Sequence, residues 1–272
     1  MSRALMMLLG LYAGGAYADP AAMDEYALFD YAPDLMRIVP AARPTFCEIE
    51  SGAGFVWNAG ERTEVRCKDF RVSLVGLPPK GESDGETATV RLELKSPHAG
   101  DRHLEMKVDE FPSGFLDEVW SSDLNGDGRP DVLLRMGSHG NGLAAEIGGL
   151  IFLLSDGKRY HYVSLDDVMP GREIRLFSSP DGHGEVLLLQ RMAGQGQRLR
   201  GDDGRRHVFF VFDLLGFGSD GLSLMNRLDA RFPFWTQMTS KPTRTETRLL
   251  DEKRKRMLWR DPVKAARKHV MS

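Results

Sequence analysis

Val90, Leu92 and Leu94 alternate with Arg91, Glu93 and Lys95. This is the two-residue period of a strand with one face on a core and the other in water. Short runs of similar character at Phe46–Glu50, Phe55–Trp57, Arg66–Leu74, Thr87–Leu94 and Leu104–Val108 predict a small antiparallel β unit. Pro78–Gly85, rich in turn-forming residues, predicts a loop between two of them. Ahead of this unit, apolar positions among Pro20, Pro33, Pro40 and Pro44 suit a short helix and an extended lead-in.

Beyond Phe115 the apolar pattern recurs at long range. Asp131-Val132-Leu133-Leu134 returns as Glu185-Val186-Leu187-Leu188, 54 positions later, and each acid follows a glycine-bearing turn. The apolar runs Gly148–Leu154 and Arg206–Phe212 follow in the same order. The pattern predicts two copies of a loop, strand, long hairpin and strand. Repeated hairpins bury one face against the next unit. A closed propeller takes at least four blades of about 40–45 residues, and two units are visible here. The fold class expected is mainly β. Its antiparallel repeats would form a β-sandwich, an open repeated sheet or a partial, divergent β-propeller, with a basic helix at the C-terminal end.

The chain opens Met-Ser-Arg, continues with the small and apolar run Ala4–Ala16, and reads Ala16-Tyr17-Ala18 before Asp19. That order predicts a secretory signal peptide over residues 1–18. Its core falls short of the roughly 20 apolar residues of a membrane span, so no transmembrane segment is expected in the mature chain. Export predicts a periplasmic or secreted protein. In an oxidising compartment, Cys47 and Cys67, the chain's two cysteines, are expected to pair. Closing that loop contributes about 2–4 kcal/mol by restricting the unfolded chain.

Charge divides the chain further. Residues 240–272 hold eleven Lys or Arg against four Asp or Glu, while residues 19–239 carry a net charge of −11. Asp261-Pro262 has the form of a helix cap followed by proline in the first turn. Before it, Leu249, Leu250, Met257, Leu258 and Trp259 offer an apolar side. A charged amphipathic helix packed on the acidic body is one reading, and contact with an anionic partner is the other. Nucleic-acid binding is not expected from an exported, acidic chain without a recognised binding module. The organisation expected is a signal peptide at 1–18, a disulfide-bearing β-rich region at 19–112, a repeated β region at 113–239 and a basic tail or helix at 240–272.

The sharpest chemistry lies in Asp-Leu-Asn-Gly-Asp-Gly-Arg-Pro-Asp, residues 123–131. Asp123, Asn125 and Asp127 occupy alternate positions, Gly128 the turn, and Asp131 the ninth position. Arg129 would offer its carbonyl oxygen. Calcium takes six to eight oxygen ligands, and crowded carboxylates gain from a cation between them. Position 12 is Leu134 rather than the glutamate of an EF-hand, and the segment runs into a predicted strand.

These residues resemble the Asp-x-Asn-x-Asp-Gly-x-x-Asp loops of the FG-GAP/VCBS repeat family, over residues 115–225. The resemblance implies a structural calcium ion between β strands, held by Asp123, Asn125, Asp127, Arg129 and Asp131. The matching turn Asp181–Glu185 is too poor in carboxylates and is expected to have lost its metal.

No catalytic or cofactor-binding residue is assigned. Ser138-His139, His161 and His183 read as surface or ordinary strand positions. Asp109–Glu110 and Asp117–Glu118 are acid pairs of unknown spacing. Trp120 and Phe217 are expected in the core, with exposed anchors the alternative. The function expected is an exported, calcium-stabilised binding or structural protein of the bacterial envelope, with a protein or envelope component as partner. An inhibitor or immunity protein against an envelope-targeting hydrolase is its specific version. A hydrolase acting on envelope polysaccharide or peptide is the alternative, and oligomeric state stays open.

Overall fold

The computed structural model describes residues 39–40, 44–51, 60–77, 89–96, 100–107, 112, 115–137, 147–169, 175–179, 182–194, 197–238 and 246–272. The expected signal peptide, most of the 20–44 lead-in, Phe55–Trp57, Pro78–Gly85, Asp109–Glu110, Ser138-His139 and Asp181 lie outside the described residues. Among the described residues the strands form a thirteen-stranded and a five-stranded antiparallel sheet, and the arrangement is open.

Two short strands come first, β1 (Val39–Pro40) and β2 (Thr45–Phe46). The small sheet then runs in simple order through β3 (Glu48–Ser51), β4 (Arg62–Arg66), β5 (Arg71–Leu77), β6 (Thr89–Ser96) and β7 (Gly100–Lys107). Val90, Leu92 and Leu94 are buried, and Arg91, Glu93 and Lys95 face outward, as the alternation predicts. The expected strand Arg66–Leu74 is in fact two. Polar Lys68 and Asp69 form a turn closed by Cys67 N–H donating to the Phe70 carbonyl at 2.9 Å.

Cys47 and Cys67 form the expected disulfide. Its place explains its use. Cys47 separates β2, on the large sheet, from β3, on the small one, and donates its N–H to the Val119 carbonyl at 3.0 Å. The bond therefore fixes the point where the chain crosses between sheets.

In the large sheet, β8 (Phe115–Ser122), β9 (Asp131–Gly137), β10 (Gly148–Ser155) and β11 (Tyr160–Val168) form one meander. A second group contains β12 (Leu176–Ser178), β13 (Glu185–Met192), β14 (Leu199–Arg200), β15 (Arg206–Phe217), β16 (Leu222–Leu224) and β17 (Phe234–Met238). The predicted repeat is visible in the pairing: β9 pairs with β10, and β13 pairs with β15, both antiparallel.

Both faces of the first meander are buried, which explains its nearly continuous apolar runs. Val119, Val132, Leu134, Ile151 and Leu153 pack with the small sheet's Val72, Leu74, Val90 and Leu92. The alternate residues Trp120, Leu133, Phe152 and Leu154 pack with Leu187, Leu189 and Leu215 of the second group.

The basic end folds onto this body. Helix α1 (Glu252–Leu258) is capped by the Asp251 side chain, and α2 (Pro262–Ala265) by Asp261, with Pro262 in its first turn. Leu249, Leu250, Leu258 and Trp259 join a cluster with Phe209, Val211 and Trp235, whereas Met257 is 64% exposed. The sequence reading missed the last strand, β18 (Arg267–Val270), which pairs with β11. Beyond it, Ser272 and His103 of β7 exchange two backbone hydrogen bonds at 3.0 Å. The chain end thus links both sheets.

Candidate functional site

The Asp123–Pro130 loop joins β8 to β9. Its polar side chains turn the backbone by accepting from amides further along. Asp123 Oδ1 and Asn125 Oδ1 both accept from the Asp127 N–H at 3.0 Å. Asp123 Oδ2 accepts from Gly128 N–H at 2.9 Å, and Asp127 Oδ1 from Arg129 N–H at 2.8 Å. Gly126 and Gly128 supply positive φ values of 75° and 79°, which side-chain-bearing residues adopt only with strain. Between them and β8, Leu124 drives its side chain into the core.

Asp131 has a different orientation from the other expected ligands. It is fully buried, with Oδ2 accepting from Leu124 N–H at 2.9 Å and Asn125 N–H at 3.2 Å. Its Oδ1 accepts from Ser155 N–H at 2.7 Å. Burial pushes this carboxyl up to about 8, against the opposing pull of those amides. Asn125 Nδ2 donates to the Ser155 carbonyl at 2.7 Å. Asp131 and Asn125 therefore tie the loop to the turn between β10 and β11 at one residue.

The loop also meets its counterpart in the second repeat. Glu185, 54 positions after Asp131, donates its N–H to the Leu124 carbonyl at 2.8 Å. The Glu185 Oε1 accepts from Ser122 Oγ at 2.7 Å. The backbones touch here: a Cβ added to Gly126 would lie 2.4 Å from Gly184 N, and one on Gly184 would lie 2.4 Å from the Leu124 carbonyl oxygen. Burial raises the Glu185 pKa, the Ser122 hydrogen bond opposes that shift, and the Asp123 charge adds to it. Its Oε2 is buried with no hydrogen-bond partner among the described residues.

The side-chain oxygens of Asp123 and Asn125 thus converge on the Asp127 N–H, the Asp127 carboxylate turns to the Arg129 N–H, and Asp131 is turned inward. Arg129, at the position expected to lend a carbonyl, is exposed, and its guanidinium lies against Gly157. Among the described residues, no group of three or more Asp, Glu, His or Cys side chains is arranged to hold a metal ion. The oxygens that fit a hard cation are those of Asp123, Asn125 and Asp127, two of which already face a single amide.

Other candidates have structural partners. Asp117 and Glu118 pair with Arg135 at 2.5 and 3.2 Å, and that guanidinium sits 5.8 Å from the ring centre of buried Trp120. Phe217 packs on Phe152 at 5.3 Å between ring centres. His161 faces outward between buried Tyr160 and Tyr162, and its Nε2 lies 2.9 Å from Asp156 Oδ2. Asp156 also accepts from the Lys158 and Arg159 amides, so the pair braces a hairpin turn.

Sequence reasoning missed a buried polar knot in the second repeat. Asp213 is fully buried, pairs with Arg191 at 2.5 Å, and accepts from Asn226 Nδ2 and Trp259 Nε1, each at 2.9 Å. A lone acid inside the apolar run Val208–Leu215 was its signal. Scans of the chain against protein-family models, curated proteins and solved structures give no match.

Proposed function

We propose that this chain is an exported binding or structural protein of the bacterial envelope, related in design to FG-GAP/VCBS repeats. In this reading a calcium ion stabilises the junction between its two β repeats. The observation that carries the proposal is the contact between the Asp123–Asp131 loop and the turn before Glu185. An ordered loop at that place governs how one repeat sits on the next.

A calcium ion would draw on side-chain oxygens of Asp123, Asn125 and Asp127 and on the Arg129 carbonyl, with Asp131 holding the loop from within. Its charge would offset the crowding that the Asp123 carboxylate imposes on Glu185. A structural rather than catalytic ion follows from this position, because the loop braces backbone against backbone. Binding ranks ahead of hydrolysis on related grounds: Asp117, Glu118, Asp156 and His161 are all engaged in holding the fold.

The specific version is inhibition of an envelope-targeting hydrolase by direct protein contact. Affinity capture from an envelope fraction, with calcium or with a chelator, tests the binding role. The expected result is one hydrolase retained by the wild-type chain in calcium and lost with Asp127→Ala. Equal retention by both chains, or recovery of no partner in calcium, would contradict it.

A further inference from the structure

On the outer face of the small sheet, most cations are paired with carboxylates. Arg62 pairs with Glu64 and Glu93, and Arg91 pairs with Glu93 and Glu105. Two positions along the strands a row of cations stands between two acids, Glu48 opposite Arg66 and Asp101 opposite Lys95. Arg66 stands opposite Arg71, and Arg71 stands opposite Lys95, so three cations occupy consecutive strands in direct register. Lys68 projects from the turn between the first two, and all four residues are exposed. Arg66 is paired with Glu50, whereas Lys68, Arg71 and Lys95 form no ion pair among the described residues. Like charges placed directly opposite one another destabilise a sheet.

This row borders an open surface depression lined also by buried Phe70 and by Asp101, which stands opposite Lys95. The disulfide at Cys67 and the Cys67–Phe70 turn hold the cationic edge in place. We propose that this cationic depression binds a ligand carrying two or more phosphate groups. Adjacent strands lie about 4.8 Å apart, so Arg66 and Lys95 are separated by roughly 10 Å of sheet. That span suits a multiply charged anion better than a single phosphate, and guanidinium groups grip phosphate oxygens in pairs. The ligand's charge would relieve the repulsion built into the row. The site lies on the other sheet from the calcium loop and does not depend on it.

The test is calorimetric titration of the purified chain with pyrophosphate, orthophosphate and sodium chloride at matched ionic strength. One saturable pyrophosphate site is expected, at least tenfold tighter than orthophosphate. Arg71→Glu/Lys95→Glu should weaken it at least tenfold, while the distant control Arg205→Glu/Arg206→Glu leaves it unchanged. The milder Arg71→Gln/Lys95→Gln pair should show the same loss if charge reversal disturbs folding. Without ligand, Arg71→Gln should raise the melting temperature, because it removes repulsion. Binding that is unsaturable, that survives both Arg71/Lys95 pairs, or that falls equally in the control would overturn the proposal. A lower melting temperature for ligand-free Arg71→Gln would do the same.

Discussion

Glu185 donates its backbone N–H to the Leu124 carbonyl at 2.8 Å, while the N–H of the same Leu124 is held by Asp131. One residue of the first loop is thereby gripped by the strand-opening acid of each repeat. The repeats are joined through backbone, and small changes at this point should have large effects.

Gly184 gives the sharpest steric test. Its φ is 70°, and an added Cβ would lie 2.4 Å from a carbonyl oxygen, so Gly184→Ala must strain the backbone and part the loops. A cost of about 2–4 kcal/mol is expected, combining left-handed strain and a backbone clash. Gly182 has a φ of 76° with open space around it, so Gly182→Ala should cost only about 1 kcal/mol. Denaturant unfolding of both variants measures the difference. Equal losses would contradict close packing at Gly184.

Asp131→Ala removes the acceptor for three amides at once, including that of Ser155. A loss of about 3–5 kcal/mol is expected, because two of these bonds are buried and leave unsatisfied donors. Asp131→Asn retains one carbonyl oxygen and should cost less. Urea unfolding monitored by tryptophan fluorescence checks the order of the two variants.

Trp259→Phe keeps the ring packing of the C-terminal segment but withdraws the N–H that reaches buried Asp213. The expected loss is about 1–2 kcal/mol. Arg191→Leu should be more damaging, since it leaves the Asp213 charge without its ion-pair partner. Calorimetric melting would show whether the losses rank in that order.

Asp156 should make stability depend on acid. The His161 hydrogen bond, with help from two turn amides, holds its carboxyl at about 2. An unfolded aspartate titrates near about 3.9, so the folded state gains stability above that value. The gain is lost as pH falls through the folded value. His161→Gln should flatten the decline in melting temperature between about pH 4 and pH 2. An unchanged acid limb would show that the pair carries no linkage.

Much of this architecture was legible because apolar spacing reports burial directly. The alternation in Thr89–Ser96 gave its inward face, and the 54-residue recurrence marked strands that do pair alike. The Asp131 and Glu185 positions could be matched by sequence alone. Their joint hold on Leu124 could not, because it depends on how two distant turns approach in space. Strand β18 escaped for another reason: Arg267-Lys268-His269-Val270 is charged, and its strand form comes from pairing with β11 rather than from its own pattern. Likewise, Lys68 and Asp69 broke an expected strand through turn chemistry that the flanking apolar residues concealed. The register that aligns Arg66, Arg71 and Lys95 is also a property of pairing, invisible along one strand.

The most direct measurement is calcium titration of the metal-free chain, followed by thermal unfolding with and without calcium, for wild type and Asp127→Ala. Calcium sites of extracellular modules bind at about 10⁻⁴–10⁻³ M, and a site of that strength would stabilise the wild type by about 1.5–3 kcal/mol at about 10 mM calcium. That corresponds to a rise in melting temperature of roughly 3–10 °C. One ion per chain is expected, and Asp127→Ala should abolish both the binding and the rise. No saturable calcium binding, or an equal rise in the variant, would contradict a calcium-stabilised junction.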